Sequence, residues 1–350
     1  MPIRLTELLK QVPRQTESRV KKTREAMRNI IQELLRSECR LQLKVEQPEG
    51  SKDPGVQVPV EITAAYPVSF ENIEFPDDHA LYLLLSTYRG SLQQTSDGLT
   101  GVLELINKLS RTKWADLVAA GSQNARQTAI LSDHLLAMLN QQDPLKKILQ
   151  VDEDILGAYI YEIPALWLDE HPNKAKIQVY WAVHGLIAQW MPAAVEDIAI
   201  GTLAHELAHA YTQLGADIDG HRWPAASFAE TESAVKEGLA QYYTHRVLER
   251  MNQKWPGALR AFQKMLPSQS KPYRAHEPWV EANKPEEVRL AMIEFRRSGE
   301  TKLKEFEDRL QTAKRSLRGG TTPKNNPPAQ QPDLWPPDAK RASSLSKRSP

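Results

Sequence analysis

The chain of 350 residues has a single cysteine, Cys39. One thiol can build neither an internal disulfide framework nor a cysteine-based metal cluster. Inside a helical pattern such a residue reads as a small apolar side chain, and this cysteine usage fits a reducing, cytoplasmic compartment. An excess of charge is missing as well. The 45 Lys and Arg and the 44 Asp and Glu leave a net charge of +1, so nothing global attracts nucleic acid or a membrane surface. Long apolar runs are also absent. The least polar stretch, 177–195, is interrupted by Gln178, His184, Gln189 and Pro192 and cannot cross a bilayer. The N-terminus interrupts its apolar residues with Arg4, Glu7, Lys10 and Pro13, so it lacks the apolar centre of a secretion signal. No internal repeat is visible.

Several segments do carry pattern. Residues 1–46 read as a charged helical arm, with Val20, Met27, Ile30, Ile31, Leu34 and Leu35 at mostly helical spacing. Its basic residues Arg19, Lys21, Lys22 and Arg24 read as a solvated face. Residues 47–76 read as a linker, rich in Pro, Gly and charge, ending in a short strand near 56–64. From 77 to 149 apolar residues recur at helical intervals, in LYLLLSTY, GVLELINKL and TAILSDHLLAMLN. Two strands are expected at 155–163 and 176–187, joined as a hairpin through the turn-like WLDEHPNK. A helix is expected from Pro192 to Gly215, with Glu196 and Asp197 near its positive end. A second spans about 227–251 and a charged third about 285–317. The last segment, 318–350, is too rich in Pro and polar residues to bury a core and reads as a disordered tail.

The chemistry is concentrated in the first of these helices. His205 and His209 are four residues apart, so one helical face presents both imidazoles to a single ion. Zinc suits two imidazoles and a carboxylate, with a fourth position left open. Glu206 lies one residue round the helix. There its carboxylate can take a proton from a water activated by the ion without being a ligand itself. The bland alternative is two ordinary helix histidines. Against it stands the setting, an apolar helix with no proline after its first turn and with Gly201 one turn before His205, where a small residue allows close packing.

A third ligand must come from elsewhere. The metzincin pattern needs Gly at 212 and His at 215, and Thr212 and Gly215 close that route. Downstream, Glu230, Glu232 and Glu237 are available, and spacing alone does not choose between them. The segment EGLAQYY, however, resembles a gluzincin pattern in which an EGxAxY segment follows HExxH and its Glu binds zinc. The resemblance covers about 195–250 and implies Glu237 as third ligand, one Zn2+ ion, and a zincin-like domain over 77–317. That fold is α+β and mainly helical, with a small sheet packed on the HExxH helix. Gly238 and Ala240 would let the ligand helix pack closely on it. The chain departs from the related pattern that has an Asp four residues after the ligand Glu, because Gln241 stands there. Its carbonyl could still orient the first His.

Such a site also needs a donor to a developing oxyanion. Tyr243 and His221 lead, with Tyr242 and His245 as further candidates. If the zincin arrangement holds, 177–184 is the edge strand expected to pair with an extended peptide, and His184 could face the cleft. The expectation is therefore a zinc metallopeptidase with a peptide or protein substrate, with no nucleic-acid partner. Its competitors are a zincin-like regulatory or interaction protein with weak or no catalysis, and a zinc hydrolase acting on something other than protein.

Overall fold

The computed structural model describes residues 2–43, 58–75, 89–109, 115–141, 143–151, 154–161 and 175–318. The start of the expected linker (47–57), the segment LYLLLSTY, the turn WLDEHPNK and the Pro-rich tail lie outside them. In chain order the elements are β1 (Ile3–Arg4), α1 (Leu5–Gln11), α2 (Gln15–Cys39), β2 (Val60–Thr63), β3 (Glu74–Phe75), α3 (Arg89–Leu109), α4 (Ala115–Gln141), α5 (Pro144–Leu149), β4 (Gly157–Tyr161), β5 (Ala175–Tyr180), α6 (Trp181–Trp190), α7 (Val195–Leu214), α8 (Ala225–Glu230), α9 (Ser233–Met251), α10 (Pro256–Met265), α11 (Lys271–Arg274), α12 (Glu277–Ala282), α13 (Pro285–Ser298) and α14 (Leu303–Arg318). The protein is mainly helical with a small sheet, as its α+β pattern implies. Among the described residues no helix is long and apolar enough to cross a membrane.

The helix α7 is the axis of the fold. All of its residues except Glu196 and Asp197 are buried. A helix covered on every side has to be apolar nearly all round, and Ile198, Ile200, Leu203, Leu207 and Leu214 supply that surface. It packs against α2, α9 and α10, with α6 and the strands β4 and β5 on its remaining sides. Val20, Met27, Ile31 and Leu35 of α2 belong to the same buried cluster as α7. Their 3.6-residue period puts them on one stripe, and Tyr211 of α7 donates to the Gln32 carbonyl at 2.9 Å across that contact. Beside that stripe, Arg24 and Arg28 donate to the carbonyls of Val60 and Val58 and fix β2 against the helix.

The sheet order is β2–β5–β4, with β2 parallel and β4 antiparallel to β5. This corrects two expectations. The strand at 176–187 stops at Tyr180, and the apolar run from Trp181 onward is the helix α6. A short buried apolar run has no period that separates strand from helix. The strand β5 is also central rather than an edge. The free edge on the α7 side is β4, since no strand among the described residues pairs with its outer rim.

Two expected helices are broken. The 227–251 helix divides at Thr231 and Glu232 into α8 and α9, and the 285–317 helix divides at Gly299, which sits at φ 74°. Glycine reaches that left-handed region without a Cβ penalty. The two breaks meet. The Glu232 amide donates to the Thr301 carbonyl at 2.8 Å, and the Leu303 amide donates to the Glu232 carboxylate at 2.8 Å. Backbone groups released by one break are thus satisfied at the other.

Candidate metal centre

Three segments bring four donors to one point. His205 and His209 come from α7, Glu237 from the first turns of α9, and Asp154 from the residues leading into β4. Their ligand atoms all lie within 4.8 Å of one another. The two imidazole Nε2 atoms are 3.1 Å apart, and each is 3.2 Å from Glu237 Oε2. A tetrahedral ion with bonds of roughly 2.0–2.1 Å has ligand edges of about 3.3 Å. The three separations fit that size. Two imidazoles and two carboxylates converging in a covered site are a donor set that could hold a metal ion. Burial of so many polar groups on the central helix is costly unless something compensates it.

The electrostatics of the cluster run the same way. Burial disfavours an ionised Glu237, yet the charges of His209 and His205 and their hydrogen bonds outweigh it and hold the carboxyl well below the usual range. Burial also disfavours the charged form of His209, but the facing Glu237 and Asp154 raise its pKa overall. Burial and the neighbouring Glu237 raise the pKa of Asp154, against the pull of the imidazoles and of Tyr273. Burial raises that of Glu206 well above normal, with Asp154 and Glu237 adding to it. Three carboxylates thus compete for negative charge in a space that a cation would neutralise.

Glu206 is 2 % exposed, and its Oε2 has no hydrogen-bond partner. It lies under β4. A Cβ on Gly157 would be 3.0 Å from Glu206 Oε1 and 2.8 Å from the Gln178 carbonyl, so glycine is what lets the strand settle on this carboxylate. Two residues on along the strand, the Tyr159 ring stacks on His209 at 6.2 Å. Tyr161 then meets Phe228 of α8 edge-on at 5.3 Å. A cleft opens beside the cluster, floored by Gly201, Thr202, His205 and Glu206 and walled by Leu149, Val151, Leu156, Phe262, Met265 and Tyr273. Gly201 therefore leaves room in this cleft and makes no close packing contact. Nothing lies within 4 Å of where its Cβ would stand.

Other expected residues have different places. Glu232 sits at the N-terminus of α9 and Glu230 is exposed at the end of α8, so Glu237 is the glutamate that reaches both histidines. Gly238 faces Trp279 of α12, whose ring would be 2.5 Å from an added Cβ, and so serves a different contact from the one expected with α7. Gln241 donates to Gln269 Oε1 at 3.2 Å, and His205 Nδ1 has no hydrogen-bond partner, so Gln241 does not orient that ring. Tyr243 points away from the cluster. The groups acting on its buried hydroxyl are Cys39, Tyr242, Arg289 and Arg296. His221 is exposed in a turn in which its amide donates to Asp217 Oδ1. His245 stacks on Phe262 at 5.9 Å, and Tyr242 packs edge-on against Tyr243.

His184, on α6, is fully buried. Nδ1 meets the Tyr180 carbonyl at 2.8 Å and Nε2 meets Thr202 Oγ1 at 3.0 Å. Burial pushes its pKa down to about 4, so the ring is neutral. A carbonyl can only accept, which places the proton on Nδ1 and makes Nε2 the acceptor from Thr202. This histidine locks α6 to α7 and does not face the cleft.

Two residues of the site have no counterpart among the expectations, Asp154 and Tyr273. The Tyr273 hydroxyl donates to Asp154 Oδ1 at 2.6 Å, and its ring stacks on His205 at 5.7 Å. Burial and the surrounding carboxylates raise its pKa well above normal, so the hydroxyl keeps its proton and remains a donor. Neither residue belongs to a motif. Each is an isolated side chain in a segment of weak periodicity, brought in only by tertiary packing. Compared with protein-family models, curated proteins and solved structures, the chain matches none.

Proposed function

We propose that the protein is a zinc-dependent hydrolase of peptide bonds, built on the gluzincin plan. One observation carries the reading. Two imidazole nitrogens four residues apart and a glutamate from the next long helix stand 3.1–3.2 Å from one another, with Glu206 buried beside them. His205, His209 and Glu237 would hold the ion, which when bound supplies a Lewis acid and lowers the pKa of water.

The chain's own residues have distinct tasks. Glu206 accepts the proton of the attacking water and returns it to the leaving amine. The raised pKa that burial gives its carboxyl suits both halves of that exchange. Tyr273 replaces Tyr243 and His221 as the donor to the developing oxyanion, since its protonated hydroxyl lies at the cluster. The edge strand β4 supplies a main-chain rim for an extended substrate. The Tyr180 amide donates to the Leu156 carbonyl, which sets the ladder's alternation. Gly157, Tyr159 and Tyr161 then turn their peptide groups outward, available for strand addition.

The test is zinc content and cleavage of a peptide library by wild type and Glu206→Gln. Zinc bound by both with cleavage by wild type alone is expected. Equal cleavage by the variant, or none by zinc-loaded wild type, would sink the reading.

A further inference from the structure

We propose that Asp154 is a fourth protein ligand that closes the open position of the metal centre in the resting protein, so that an incoming ligand has to displace it. The inference rests on the metal-dependent reading above and concerns how that site is held shut.

Position is the first argument. Asp154 lies three residues before β4, whose register against β5 is fixed from Gly157 to Tyr161. Its carboxylate is thereby delivered within 4.8 Å of the donor atoms of His205, His209 and Glu237. The second argument is the orientation of the group. One oxygen, Oδ1, accepts the Tyr273 hydroxyl at 2.6 Å. That bond occupies one oxygen and leaves the second to act as a ligand. Charge balance is the third. Counting the ligands alone, a divalent ion with two neutral imidazoles and Glu237 carries one positive charge in a covered site. Adding Asp154 makes the centre neutral, the cheaper arrangement where water is largely excluded. Glu206 is not the fourth ligand, because it is tucked beneath Gly157 on the cleft side. A neutral centre with four protein ligands lacks the open position that separates catalytic from structural zinc sites. Access then requires Asp154 to leave the ion and release the Tyr273 hydroxyl, whose single proton is then free to be donated to the incoming oxygen.

Cobalt(II)-substituted protein tests this, with azide as the probe and the visible d–d spectrum as the readout. Wild type is expected to resist azide at millimolar concentrations, whereas Asp154→Asn shifts its spectrum on azide addition. Zinc affinity, measured by chelator competition, is expected to fall at least about tenfold in Asp154→Asn. Tyr273→Phe keeps the ligand and so keeps azide resistance. A spectral response of wild type to azide overturns the proposal without any variant. So does undiminished zinc affinity in a folded Asp154→Asn, or a Tyr273→Phe that reproduces all its changes. Wild type that takes up neither zinc nor cobalt fails differently, because it removes the metal reading beneath both proposals.

Discussion

The two faces of α9 carry residues of similar chemical promise and opposite fate. On one face Glu237, Gln241 and Thr244 look toward α7, with Glu237 touching both histidines and the other two lining the cleft. On another Tyr243 is packed in a dry layer where Cys39, Arg289 and Arg296 are the groups that act on it. At roughly 100° per residue, Gln241 and Thr244 lie within about 40° of Glu237, and Tyr243 about 120° away. A tyrosine next to a ligand helix is therefore no candidate donor unless the helical phase agrees. The donor that meets the cluster, Tyr273, comes from a different helix altogether.

The comparison breaks most sharply at Glu237. Replacing it with Ala is expected to abolish binding of one metal equivalent, read by elemental analysis, while Glu230→Ala and Glu232→Ala retain it. Retained metal in Glu237→Ala would remove α9 from the site. Next, Glu206→Gln should keep the metal and lose about 10²–10⁴-fold in cleavage, the usual contribution of a general base. Tyr273→Phe is expected to lower kcat by about 10²–10³-fold, as loss of one oxyanion donor does, with Tyr243→Phe unchanged in the same assay. The reverse result would return the role to α9.

Smaller effects sharpen the contrast between covered and functional polar groups. His184 has a folded pKa of about 4 against roughly 6.5 unfolded. Between those values the unfolded chain binds a proton that the folded one refuses. Stability is therefore unaffected above pH 6.5 and falls as pH drops toward 4, by about 2 kcal/mol at pH 5 from this residue. Urea unfolding of metal-free protein at pH 7 and pH 5 should show that His184→Gln loses correspondingly less. Smallest is Tyr243→Phe. Its buried hydroxyl has no hydrogen-bond partner, so removing it is expected to stabilise the fold by about 1 kcal/mol. A clear destabilisation in thermal melts would show that the hydroxyl has a structural task.

Legibility in the sequence followed locality. The helix α7, its two histidines, Glu206 and the closed metzincin route all depend on spacings within ten residues. The stripe of α2 was legible too, because Val20, Met27, Ile31 and Leu35 repeat at the helical period. The start of α6 was not, since WAVHGLI is apolar at every position but His184 and a buried strand would read the same. The breaks at Thr231 and Gly299 escaped for another reason. They are held by hydrogen bonds between residues some seventy positions apart.

The sequence by itself determined that two imidazoles and a carboxylate share one helix, because a regular helix converts residue spacing into direction. It also offered Glu237, though only through a resemblance and among three glutamates. Tertiary structure alone decided that Glu237 reaches both histidines, that β4 and not β5 is the free edge over Glu206, and that Asp154 and Tyr273 complete the cluster. Those residues come from segments 28 to 119 positions apart along the chain. No local period relates them. Only the packing of strand and helices around the almost wholly buried α7 brings their polar atoms within a few ångströms of one another.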